Sequence, residues 1–310
     1  VTSTGRAVIL LVAATSLWGV SSALMSAISA PSLGAAAPVA AGGALVILAV
    51  CVLRGDHPWR TLAADRWLYL GLGILEMTNL MLYVAALRLG PLPVVVALHL
   101  TAPMLIIVAE VLTGRRGFNI STVIELVLVS TAILLVTAEQ SDLGDAAAIG
   151  AGCALAVASA ACVAGLVTLV ARHAAGRPTM ASAGLQLLIA AGFCLPMMVS
   201  KPPSYSATIH LIAVGAFALG PGFALYWWAL KTLDATTAGI IGLNEAVAAS
   251  VVGALLTSTR ITPTTLLAGG LVLTAVAVQL RSGSTPDARQ LRKPRTRVRP
   301  CLHWGSRPHC

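Results

Sequence analysis

The sequence predicts an all-α polytopic membrane protein, with about ten transmembrane helices arranged as two inverted five-helix repeats. Three observations predict it. Hydrophobic residues make up 57% of the chain and charged residues only 10%, against roughly 25% charge in soluble domains. Apolar runs of roughly 18 to 24 residues recur along the chain, close to the ~20 that cross the hydrocarbon as a helix. Two stretches, one in each half, also align without gaps at an offset of 143 residues. The ~10-residue alternating segments of a transmembrane barrel are absent.

In chain order the expected spans are 7–29, 33–53, 67–87, 93–114, 119–138, 146–171, 180–200, 208–230, 235–257 and 263–281. The first run is too long for a signal-peptide core and lacks a convincing cleavage site, so it is expected to remain as a span. Links between spans are too short for a soluble domain. Residues 1–140 and 141–281 then form the two repeats, and residues 282–310 a basic tail. That tail is rich in Pro and Arg and has no helical periodicity, which predicts disorder. Cys51, Cys153, Cys162 and Cys194 fall inside apolar spans, where a small buried thiol needs no further role.

Orientation follows from the distribution of basic residues. With the N-terminus inside, seventeen Lys and Arg lie on the cytoplasmic side and three, Arg88, Lys201 and Arg260, on the other. Both termini are expected to be cytoplasmic. The net charge of +9 is then a consequence of topology, and the tail would touch anionic lipid rather than nucleic acid. Cys301, His303, His309 and Cys310 match no usual zinc spacing, so no metal or other cofactor is expected.

In the internal repeat Tyr83 pairs with Tyr226, Ala86 with Ala229, Leu87 with Leu230 and Arg88 with Lys231. The paired spans are the third and fourth, then the eighth and ninth. Five spans per repeat is an odd number, so the two copies insert in opposite senses. Many secondary transporters are built this way, with the substrate held near the midplane between the halves.

The motifs "LWG" at Leu17–Gly19, "YVAAL" from Tyr83 and "ALHLTAPM" from Ala97 resemble the EamA-type transporters of the drug/metabolite transporter superfamily. "PLPVVVALHLTAPML" and "ALKTLDATTAGIIGLNEAVAASVVGALL" are most similar to the threonine/homoserine exporters of bacterial inner membranes. The resemblance implies ten spans, an inward N-terminus, location in a bacterial plasma membrane, and export of a small metabolite. The chain departs from that subgroup in three places. Ala246 follows Glu245 where the subgroup has proline, Thr259 stands where it often has an acid, and His99 replaces a carboxylate in the fourth span.

Glu245, in "IIGLNEAVAAS", is the first candidate for chemistry. A charge at mid-span costs about 2.5–3.5 kcal/mol on insertion scales, so such acids usually face a cavity or a partner. An exporter would use one to hold a substrate ammonium, or to take a proton in one state and release it in the other. Alternatively, it is a protonated acid hydrogen-bonded between helices. His99 could share a proton with it, or be a neutral imidazole satisfied by a carbonyl. Glu76, Asn79 and Tyr83 fall on one face of the third span, which makes them pocket lining or interhelical glue. Asn244 would offer polar contacts to a substrate. Trp18 and Tyr226 would supply aromatic wall, where a cation–π contact is worth about 0.5–2 kcal/mol. Pro103 removes a backbone donor and is the expected helix break, one that Ala246 does not provide in the ninth span.

These features predict a secondary active transporter that exports a small metabolite by proton-coupled alternating access. An amino acid such as threonine or homoserine is the most specific expectation. Efflux of hydrophobic cationic drugs and a non-transporting membrane protein are the alternatives. The chain carries no H-E-x-x-H, Walker A or Ser–His constellation, so an enzyme is not expected. The partners are the small-molecule substrate, protons and the bilayer.

Overall fold

The computed structural model describes residues 3–90, 92–114, 120–139, 146–257 and 263–282. Every element among them is a helix. The first half runs α1 (Ser3–Ala27), α2 (Ser32–Leu53), α3 (Pro58–Ala64), α4 (Arg66–Leu89), α5 (Leu92–His99), α6 (Ala102–Leu112) and α7 (Ile120–Glu139). The second runs α8 (Ala146–His173), α9 (Thr179–Ser200), α10 (Tyr205–Val214), a π-helical turn at Gly215–Leu219, α11 (Gly220–Ala229), α12 (Ala235–Gly242), α13 (Asn244–Thr257) and α14 (Pro263–Ser282).

Among the described residues, eight helical rods are long and apolar enough to cross a membrane, if the broken ones are followed through their breaks. They fall in the stretches read as spans one to four and six to nine, and α7 and α14 occupy the stretches read as the fifth and tenth. The surface they present is hydrocarbon-like. Leu53, Val199, Phe217 and Leu255 are each more than 70% exposed, which suits lipid contact and would be a liability in water. The short helix α3 carries no apolar period that would announce it.

Helix ends follow local chemistry. At the end of α2, Gly55 takes a φ of 78° and the Asp56 N–H reaches back to the Cys51 carbonyl at 2.9 Å. This left-handed turn needs a residue without Cβ and satisfies carbonyls that the helix leaves open. Asp234 caps α12, accepting from the Thr237 N–H at 2.9 Å, and Ser204 caps α10 in the same manner. At the other pole of α1, the Arg88 guanidinium donates to the carbonyls of Met25 (3.2 Å) and Ile28 (2.5 Å). A cation there meets the negative end of the helix dipole.

Rods break both beside a proline and where no proline stands. The fourth rod is interrupted at Leu100–Thr101, and Pro103 is the second residue of α6, where its missing N–H has no partner to lose. The ninth rod is interrupted too, at Leu243, although no proline is present. There the Leu243 N–H bonds to Ile240 and the Ala246 N–H to Leu243, a tightened 3₁₀-type geometry directly after Gly242. The eighth rod solves its proline differently. Pro221 follows the π-helical turn, which absorbs the missing donor without ending the rod.

Packing centres on close helix approaches through small residues, as expected where no hydrophobic force separates helix from lipid. α1 lies along α13 and α11, α2 along α9, α4 along α8 and α9, and α7 along α14. One close approach lies beside the cavity, at Gly19: a Cβ there would sit 2.5 Å from the Glu245 carbonyl and 2.7 Å from the Ala249 nitrogen.

Candidate functional site

Rods one, three, four, six, seven, eight and nine surround one cavity of about 860 Å³, counted out to its mouth. Glu245, His99, Glu76, Asn79, Tyr83, Trp18 and Tyr226 all line it. The helix interruptions open onto it as well, through Leu100 and Ala102 on one side and Gly242 on the other.

Glu245 stands in the first turn of α13, where exposed N–H groups and the helix dipole favour a carboxylate. It is 5% exposed and accepts one side-chain hydrogen bond, from the Ser22 hydroxyl at 3.1 Å. Asn244 points elsewhere. Its amide donates to Ser16 Oγ (2.9 Å), Thr15 Oγ1 (3.2 Å) and the Val12 carbonyl (3.3 Å), which latches α13 to α1. Adjacent residues on a helix diverge by about 100°, so if Glu245 faces the cavity Asn244 faces α1. Asn244 thus sits between α13 and α1 and is not among the residues that line the cavity.

Aromatic rings form one wall. Trp18 packs at 5.1 Å from Phe223 and 4.9 Å from Tyr226, and Tyr83 lies 4.2 Å from the His99 ring. Four buried polar atoms of the cavity lining, Trp18 Nε1, Ser21 Oγ and the Tyr83 and Tyr226 hydroxyls, have no hydrogen-bond partner among the described residues. Buried donors are rarely left so, and in a cavity they mark where a ligand or water bonds.

Glu76 is held quite differently. Asn79 Nδ2 donates to its Oε1 at 3.3 Å and Gln186 Nε2 to its Oε2 at 3.0 Å. Gln186 Oε1 in turn accepts from the Trp227 indole at 2.9 Å. On the other side Ser159 donates to Asn79 Oδ1 at 2.7 Å, and His99 Nδ1 meets the same hydroxyl at 2.9 Å. Five helices, α4, α5, α8, α9 and α11, thus contribute to one buried polar chain that runs through a carboxylate.

Ser22, Ser159 and Gln186 were not singled out by sequence reasoning. Gln186 had a usable signal, since it is a lone amide in the apolar run "SAGLQLLIAAG". Outside the cavity, Glu110 accepts from Thr236 Oγ1 at 2.5 Å, tying α6 to α12, and Asp65 pairs with Arg177 at 2.8 Å. Among the described residues no group of three or more His, Cys, Asp or Glu could hold a metal. Arg116, Thr259 and the tail with Cys301 and His303 lie outside the described residues.

Helices long and apolar enough to cross a membrane surround a largely apolar cavity that holds two buried acids, with two of the helical rods broken beside it, the arrangement of a polytopic membrane protein. Residues 150–281 match the EamA-like transporter family. Among 27 solved chains that match, one crystal structure superposes with a TM-score of 0.68 at 20% identity, covering 88% of this chain and 96% of that one. At that identity the likeness speaks for the fold. No curated protein matches the chain.

Proposed function

We propose that the protein exports a small ammonium-bearing metabolite across a bacterial plasma membrane by proton-coupled alternating access. Both termini would lie in the cytoplasm. The observation that carries this reading is Glu245: a buried carboxylate at a helix break, with one hydroxyl donor and an aromatic wall beside it. A substrate ammonium there gains an ion pair and the faces of Trp18 and Tyr226. The unpartnered Trp18 Nε1, Ser21 Oγ and Tyr226 hydroxyl supply donors for a second substrate group, a carboxylate or hydroxyl. An amino acid such as threonine or homoserine offers both.

The two-repeat reading has independent support. Glu76 and Leu219, Leu80 and Phe223, Tyr83 and Tyr226, His99 and Gly242, and Ala102 and Glu245 are each 143 apart, and all ten line the cavity. Helix packing exchanges in the same way: α1 against α13 corresponds to α8 against α5 and α6. In these pairs the ionisable groups are not repeated. Each acid or histidine faces an apolar or glycine counterpart, so the cavity is chemically one-sided, although its frame is paired.

A second reading, efflux of hydrophobic cations, is favoured by one feature: the described lining contains two acids and no Lys or Arg. Uptake of labelled L-threonine into inverted vesicles under a pH gradient tests the first reading, with tetraphenylphosphonium as competitor for the second. Glu245→Gln should abolish pH-driven exchange. Full activity in that variant would sink the assignment.

A further inference from the structure

The two cavity acids are built for different work. Glu245 has one hydroxyl donor and space before it, whereas both oxygens of Glu76 are engaged by amides inside a continuous chain. We infer that Glu76 is a proton-binding site separate from the ammonium site at Glu245, and that Asn79 and Ser159 carry its protonation state to His99 by reversing their hydrogen bonds. The inference rests on the proton-coupled reading above and deepens it.

The direction of each bond decides the case. An indole N–H only donates, so Trp227, fully buried, fixes Gln186 with its Oε1 toward the indole and its Nε2 toward Glu76. Turning that amide over would orphan the indole. Glu76 Oε2 therefore always receives a donor, and a proton on this carboxyl must sit on Oε1, facing Asn79. With Glu76 ionised the other arm is complete as observed: His99 Nδ1–H donates to Ser159, Ser159 to Asn79 Oδ1, and Asn79 Nδ2 to Glu76.

Protonation of Oε1 makes two donors face each other. The relief is for the Asn79 amide to turn over, so that Oδ1 accepts from Glu76 and Nδ2 donates to Ser159. The Ser159 hydroxyl then has two acceptors in reach, the Asn79 carbonyl at 3.3 Å and His99 Nδ1 at 2.9 Å, and the closer one needs a lone pair on Nδ1. His99 meets this by changing tautomer through cavity water: one proton leaves Nδ1 to that water, one enters at Nε2 from it, and the charge of the ring is unchanged. In the whole step one proton passes from water to Glu76. His99 is the last residue of α5, beside the helix interruption and stacked on Tyr83. The proton signal thus arrives at the wall of the substrate cavity.

No fixed charge competes for this role. The groups that face Glu76 are Cys162 and Ser159 from α8, Gln186 and Cys194 from α9, and Tyr226 and Trp227 from α11. α2 meets that face of α4 with Ala36, Ala37 and Ala40.

The test uses the full chain in nanodiscs, with ¹⁵N-histidine spectra recorded across pH and the His99 signal assigned by its loss in His99→Gln. The wild type should pass from the Nδ1–H to the Nε2–H tautomer as pH falls. Glu76→Gln should hold the Nε2–H form at every pH, because its amide faces Asn79 as the protonated acid does. Ser159→Ala should uncouple His99 from pH, and Glu245→Gln should leave the transition in place. An unchanged transition in Glu76→Gln, or one lost in Glu245→Gln, overturns the inference. Failure of the Glu245 reading shows separately, as threonine exchange that survives Glu245→Gln.

Discussion

Gly19 presses α1 directly onto the backbone of Glu245, so closely that a methyl group would lie 2.5 Å from the Glu245 carbonyl. Backbone, unlike a side chain, has nowhere to rotate. Gly19→Ala must therefore push α13 away from α1, and with it the carboxylate and its bond to Ser22. Overpacking of this kind costs about 1–3 kcal/mol. The variant should unfold at lower temperature in detergent and lose exchange activity. Gly71→Ala, where the added methyl meets nothing within 4 Å, should fold and transport normally.

Asn244 offers the reverse experiment. Its three bonds to α1 stabilise the α1–α13 contact without touching the cavity. Asn244→Leu should lower stability by about 0.6–1.7 kcal/mol, the range for hydrogen bonds between membrane helices. Threonine affinity, measured by scintillation proximity, should stay near that of the wild type. A fall comparable to that of Glu245→Gln would place Asn244 in the site instead.

Much of this was legible because one helix carries its own geometry. Glu76, Asn79 and Tyr83 recur at three- and four-residue steps, so their shared face follows from the sequence. Partnerships between helices were not legible. Nothing in "VASAAC" announces that Ser159 bridges Asn79 and His99, and nothing in "VSSA" that Ser22 meets Glu245. The break at Leu243 was hidden for a similar reason: proline is the signal a reader uses, and this interruption has none. The bonds of Asn244 to α1 were hidden too, since neighbours in sequence leave a helix in different directions.

Arg88 closes the C-terminal end of α1 from a different helix, and its guanidinium reaches carbonyls that no intrahelical N–H can satisfy. Arg88→Gln should destabilise the protein by about 1.5–3 kcal/mol, the range for a hydrogen bond to a charged group. Arg88→Lys should recover part of this, because an ammonium keeps the charge but lacks the fork that spans several carbonyls. Thermal unfolding of the three proteins in one detergent gives the order directly. Equal midpoints would mean that the α1 terminus is held by packing alone.

Trp227 and Tyr226 are neighbours whose polar atoms should behave oppositely. The Trp227 indole is engaged by Gln186, while the Tyr226 hydroxyl has no protein partner. Trp227→Phe keeps an aromatic ring but leaves a buried amide oxygen without its donor, a loss of about 1–3 kcal/mol. It also frees Gln186 to turn, so a proton on Glu76 is no longer confined to Oε1, and the pH response at His99 should weaken while threonine still binds. Tyr226→Phe removes nothing the empty protein uses. Its unfolding temperature should be unchanged, and its threonine affinity should drop because the cavity has lost a donor. Paired melting and binding curves therefore separate a residue that orients the buried network from one that waits for substrate. If Tyr226→Phe melts early and binds normally, the hydroxyl belongs to the fold and not to the site.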